Sequence, residues 1–81
     1  MNRKGYYLPE VVRYPLVEVS DDCRVLIENH KGVKQYSRSE ISVAVRYGQI
    51  RIIGHCLQLE HMTKERLVIT GQIDQVCLHR G

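Results

Sequence analysis

Between residues 41 and 53 apolar side chains fall on every second position, and that period of two most narrows what this chain can become. Ile41, Val43 and Val45 alternate with Ser42, Ala44 and Arg46; beyond Tyr47 and Gly48, Ile50 and Ile52 alternate with Gln49, Arg51 and Ile53. Successive side chains of a strand point to opposite faces, so this spacing gives each of two strands one apolar face. A two-residue connection between them predicts a hairpin. With Tyr47 and Gly48 as the loop, Val45 lies opposite Ile50 and Val43 opposite Ile52, both pairs on one face.

The same period recurs in shorter pieces. Leu16-Val17-Glu18-Val19 ends at Ser20-Asp21-Asp22. Cys23-Arg24-Val25-Leu26-Ile27-Glu28 ends at Asn29-His30-Lys31-Gly32, and Val33-Lys34-Gln35-Tyr36 ends at Ser37-Arg38-Ser39. Each break is a cluster of turn formers. Further on, Gly54 closes the hairpin arm, Leu57 and Leu59 mark another strand, and His61-Met62-Thr63-Lys64 reads as a connection. Leu67 and Ile69 mark a strand that breaks at Gly71. In the last strand, residues 73–78, Ile73 and Cys77 are out of phase with Val76 and Leu78, and a bulge near Asp74 and Gln75 reconciles them. Ile50-x-Ile52-x-Gly54 is echoed by Leu67-x-Ile69-x-Gly71. Two copies fall short of a solenoid, so a meander of similar hairpins is the main expectation and solenoid-like stacking the alternative.

Phe and Trp are absent, so the core must rest on Val, Ile and Leu, which favour strands. The 81 residues suffice for one domain. The expected fold is all-β: a single small antiparallel domain over residues 15–81, of about seven short strands, arranged as a sandwich or flattened barrel. Residues 1–14 read as an irregular lead-in, because Pro9 and Pro15 oppose a long helix. Ala44, Ile53 and Val68 are apolar on nominally outer faces, which makes them a candidate interface face.

The formal charge is +3 and the basic residues are scattered, with no stripe of the kind that tracks a nucleic acid. Cys23, Cys56 and Cys77 make an odd set without CxxC spacing, which argues for a reducing, cytoplasmic setting. No apolar leader follows Arg3-Lys4, and no run approaches the ~20 residues of a membrane helix. His55, Cys56 and His61 are the nearest metal-ligating group, but residues six apart on a strand are ~20 Å apart and neighbours face opposite ways. A metal site would have to form across strands with Cys77 or His79. Cys56 and Cys77 are expected instead as small buried hydrophobes. No nucleophile elbow, phosphate loop or carboxylate pair is present, so no enzyme, cofactor or small-molecule substrate is expected. Tyr6, Tyr7, Tyr14, Tyr36 and Tyr47, with Arg13, Lys34 and Arg46, suggest stacking platforms, and a small RNA-binding barrel is the alternative function. Packing at sheet edges with wet hydroxyls accounts for the same tyrosines.

Ile27-Glu28-Asn29-His30-Lys31-Gly32-Val33 resembles the I-E-N-H-[RK]-G-V segment of the YabP/YqfC sporulation family, on its YqfC side. Leu8-Pro9-Glu10-Val11-Val12 resembles that family's lead-in, the stretch from Gly48 to Gly54 its hairpin arm, and Leu67-Val68-Ile69-Thr70-Gly71-Gln72-Ile73 its closing segment. Together these motifs span residues 8–78 in order. The resemblance implies a sporulation protein acting in the mother cell, a non-enzymatic binding or scaffold module. It implies a YqfD-type membrane protein as partner and a place peripheral to the membrane. It carries over no catalytic residue. Glu28, Asn29, His30, Lys31, Gly32 and Val33 form the candidate partner-binding loop, and the same residues also read as a turn that needs Gly at a positive φ. Exposed strand edges add the expectation of a homo-oligomer or of strand addition by a partner.

Overall fold

The period-two segments all become strands in the computed structural model, which describes residues 14–81. They are β1 (Leu16–Ser20), β2 (Arg24–Glu28), β3 (Val33–Tyr36), β4 (Glu40–Val45), β5 (Gly48–Met62) and β6 (Arg66–Arg80), with no helix among the described residues. One antiparallel sheet contains them in the order β1-β2-β6-β5-β4-β3. The all-β antiparallel expectation holds. The count is six because the segments on either side of Gly54 are one strand, as are those on either side of Gly71. β5 and β6 each run 15 residues. A glycine within a strand pattern marks either an end or a bend, and here it marks a bend.

The β4-β5 loop is Arg46-Tyr47, one residue earlier than the alternation suggested. Val45 lies opposite Gly48, Val43 opposite Ile50 and Ile41 opposite Ile52. β6 runs past this loop, with Gly48 opposite Arg80 and the Gly81 N–H donating to the Tyr47 carbonyl at 3.0 Å, and so takes Gly48 into the ladder. Every side chain keeps its face, because each partner moves by two positions rather than one.

The bend lies where the backbones of β5 and β6 press together. A Cβ on Gly54 would stand 1.9 Å from the Gln72 carbonyl oxygen, and one on Gly71 would stand 2.6 Å from that of Cys56. Gly71 also sits at φ 134 and Cys56 at φ 54. Bulges interrupt the ladder here, after Ile53 and between His55 and Gln58. Beyond the bend each strand changes company: β5 pairs with β4 only before it, and β6 with β2 only before its own. The sheet thereby folds over into two layers. Val25, Ile27, Leu67 and Ile69 come from one layer, and Ile41, Val43, Ile50 and Ile52 from the other. With Leu57 and Ile73 at the bend they form a single buried cluster. Each such side chain contributes roughly 1.5–3 kcal/mol by leaving water. The arrangement is a sandwich of one folded sheet, left open along its hydrogen-bonded edges.

The echoed motif marks two equivalent corners, not a solenoid. Gly54 and Leu57 donate to the carbonyls of Ser39 and Arg38 at 3.0 and 2.8 Å. Gly71 and Ile73 donate in the same way to Cys23 and Asp22 at 3.3 and 2.7 Å. The bulge expected in β6 is present: Ile73 pairs with Gly54 and Gln75 with Ile53, leaving Asp74 over. Ile73, Val76 and Leu78 consequently share the inner side, while Cys77 faces out beside Arg51.

Candidate functional site

The 28–33 segment carries the chain from β2 in one layer to β3 in the other. Glu28 ends β2 directly opposite Arg66, the first residue of β6, and its Oε2 takes the guanidinium at 2.6 and 3.0 Å. Such a surface pair contributes at most about 1 kcal/mol. Asn29, at φ 63, turns the backbone out of the strand; its N–H donates to the Glu65 carbonyl at 2.6 Å and its side-chain amide to the Tyr14 carbonyl at 2.8 Å. His30 is only 7% exposed. Its Nδ1 accepts the Gly32 N–H at 3.0 Å, which assigns the ring proton to Nε2, the donor to the Thr63 carbonyl at 2.9 Å. Gly32 takes φ 116, as the turn reading required. The Lys31 N–H then donates to the Ala44 carbonyl at 2.7 Å, and the Ala44 N–H to the Gly32 carbonyl at 2.8 Å. Val33 packs against the core.

The six candidate residues are therefore contiguous in space, but most are spent on the crossover itself. Only Lys31 among them is exposed. It shares a shallow cleft with Asn29, His30, Lys64 and Glu65. A neighbouring polar cleft of about 450 Å³ is lined by Glu28, Asn29, His61, Thr63, Glu65 and Arg66. The sequence marked the β5-β6 turn only as a connection. Its signal was Thr63, whose hydroxyl accepts the N–H groups of Glu65 and Arg66 at 3.4 and 3.1 Å.

Ala44, Ile53 and Val68 do not make one face. Val68 lies between Leu26 and His61 on the outside of the first layer. Ala44, opposite Gln49, and Ile53, opposite Glu40, lie on the outside of the second. Between those two stand the buried Ser42 and an Arg51 to Glu40 ion pair at 2.6 Å. Alternation separates the inside of a strand from its outside, but the bend sends the two outsides to opposite sides of the molecule.

The thiols also differ from expectation: Cys56 is exposed and Cys77 half-buried. Cys56 sits in the bulged, left-handed part of the bend, where the alternation that would have buried it is broken. His55 Nδ1 lies 3.1 Å from an Asp74 carboxylate oxygen. Among the described residues no three His, Cys, Asp or Glu side chains gather to hold a metal ion. Of the aromatic platforms, Tyr6 and Tyr7, with Arg13, lie outside the described residues. Arg46 stacks on Tyr14 at 5.4 Å and Arg80 on Tyr47 at 5.1 Å, so each of those rings has one face covered. The Tyr36 hydroxyl accepts the Leu59 N–H at 3.4 Å. No helix among the described residues is long and apolar enough to cross a membrane.

The model of the YabP family matches residues 14–81. A curated relative, the uncharacterized protein YqfC of Bacillus subtilis (strain 168), is 27% identical over 62 residues, 76% of this chain and 67% of that protein. No solved structure matches.

Proposed function

This chain belongs to the YabP family, and from that premise we propose that it is a sporulation protein working as a binding and scaffold module rather than as an enzyme. Its recognition surface is the end of the sandwich where the 28–33 crossover meets the β5-β6 turn. The observation that carries this reading is the His30 ring, which ties the two loops together through Gly32 and Thr63. Lys31, Lys64 and Glu65 then stand outward on a fixed frame. A surface held in this way loses little conformational freedom on binding, and mixed charge favours selection among partners. The partner is a membrane protein of the mother cell, of YqfD type, which holds the module at the cytoplasmic face of the membrane. Self-association through a free strand edge is part of the same reading.

The test is capture by the tagged full chain from sporulating cells in mild detergent. A membrane protein recovered in near-stoichiometric yield, and lost with Lys31→Glu combined with Lys64→Glu, is the expected result. Both side chains are exposed, so circular dichroism should be unchanged. Retained capture by the double variant would remove this surface from the reading. Recovery of RNA without a protein partner would overturn the module and favour a nucleic-acid role.

A further inference from the structure

Among the described residues the folded sheet leaves edges at β1, at β3, and at the parts of β5 and β6 that have parted from β4 and β2. Three of them carry a charge that discourages pairing: Glu18 on β1, Lys34 on β3 and Glu60 on β5. The β5 edge is also capped where Leu59 donates to Tyr36. On the β6 edge the bulge and charge at Asp74 and the charge of Arg80 stand at the two ends, and the four residues Gln75, Val76, Cys77 and Leu78 between them carry no such device. Val76 and Leu78 point to the inner side yet remain 36% and 47% exposed. With Pro15, Val17, Tyr47 and Ile50 they line an apolar slot between β1 and β6.

We propose that a second copy of this chain pairs its own β6 with this edge, antiparallel, about a two-fold axis at Cys77. The proposal deepens the self-association in the reading above. A continued sheet must set inner residues opposite inner ones, so the axis has to pass through a residue rather than between two. An axis at Val76 sets Asp74 against Leu78, and one at Leu78 sets Arg80 against Val76. The axis at Cys77 sets Val76 opposite Leu78, Gln75 opposite His79 and Asp74 opposite Arg80. Apolar then meets apolar at the centre and acid meets base at both ends, each twice by symmetry. The two Cys77 Cα atoms would lie about 4.5–5.5 Å apart, within disulfide reach.

The register makes the pairing testable with the full chain. Diamide removes two electrons and two protons from a pair of thiols, becoming the hydrazine as one S–S bond forms. On non-reducing gels a covalent dimer should form rapidly in wild type and in Cys23→Ser with Cys56→Ser, and be lost in Cys77→Ser. Under reducing conditions, light scattering should show a concentration-dependent dimer that Val76→Lys weakens roughly tenfold or more. Equally fast cross-linking in Cys77→Ser, or a dimer insensitive to Val76→Lys, overturns the proposal. A wild-type chain that stays monomeric while still capturing its membrane partner also overturns the pairing, and leaves the binding reading standing.

Discussion

His30 shows how one side chain can hold two loops that are 33 residues apart. Both ring nitrogens are used, one as acceptor and one as donor, inside a nearly closed environment. His30→Leu keeps the volume but strands the Gly32 N–H and the Thr63 carbonyl. Urea unfolding should show a loss of about 1–3 kcal/mol, the usual cost of unpaired buried polar groups. Lys31→Ala, one residue away, should change stability by no more than about 0.5 kcal/mol, since its side chain is exposed and the segment is held by its backbone. A module in which Lys31→Ala unfolds as readily as His30→Leu would contradict this division of labour. The 28–33 stretch was legible in the sequence as a turn, with its Gly in the left-handed region. That His30 would be its buried centre was not, because Thr63 meets it only through the fold.

At the scale of the element, the bent β5-β6 hairpin is the spine of the protein. Its bend depends on two strands crossing without a Cβ at the contact. Gly71→Ala meets both a carbonyl oxygen and an unfavourable φ, and Gly54→Ala meets a carbonyl oxygen closer still. Each should cost at least about 2 kcal/mol, measured as a fall in the urea midpoint. Leu57, fully buried at the same bend, should cost about 2–5 kcal/mol on truncation to Ala. If Gly71→Ala were neutral, the two corners would not be what sets the fold. The alternation read from the sequence placed the inner residues of β4, of β5 and of β6 before its bend correctly, while for residues 73–78 it left the inner set open and expected Cys77 inside, where the structure turns it outward. It read Gly54 and Gly71 as ends because a glycine interrupts a pattern in the same way whether the strand stops or turns a corner.

For the whole molecule, amide exchange should rank the strands by how they are flanked. Residues 67–69 of β6 and 50–52 of β5 have partners on both sides and should exchange slowest, while β1 should exchange fast. Residues 75–79 should gain protection as concentration rises if β6 pairs with a second copy, and the Val76→Lys variant should not show that gain. The sequence by itself determined the all-β class, the inner and outer side of most strands and the bulge near Asp74, since side-chain alternation and local turn chemistry act within a few residues. Tertiary structure alone decided that one sheet folds on itself, that Ala44 and Ile53 part from Val68, that Cys56 is exposed and which edges have no strand partner among the described residues. Those outcomes depend on which distant backbones approach one another, and no period within a strand records that approach.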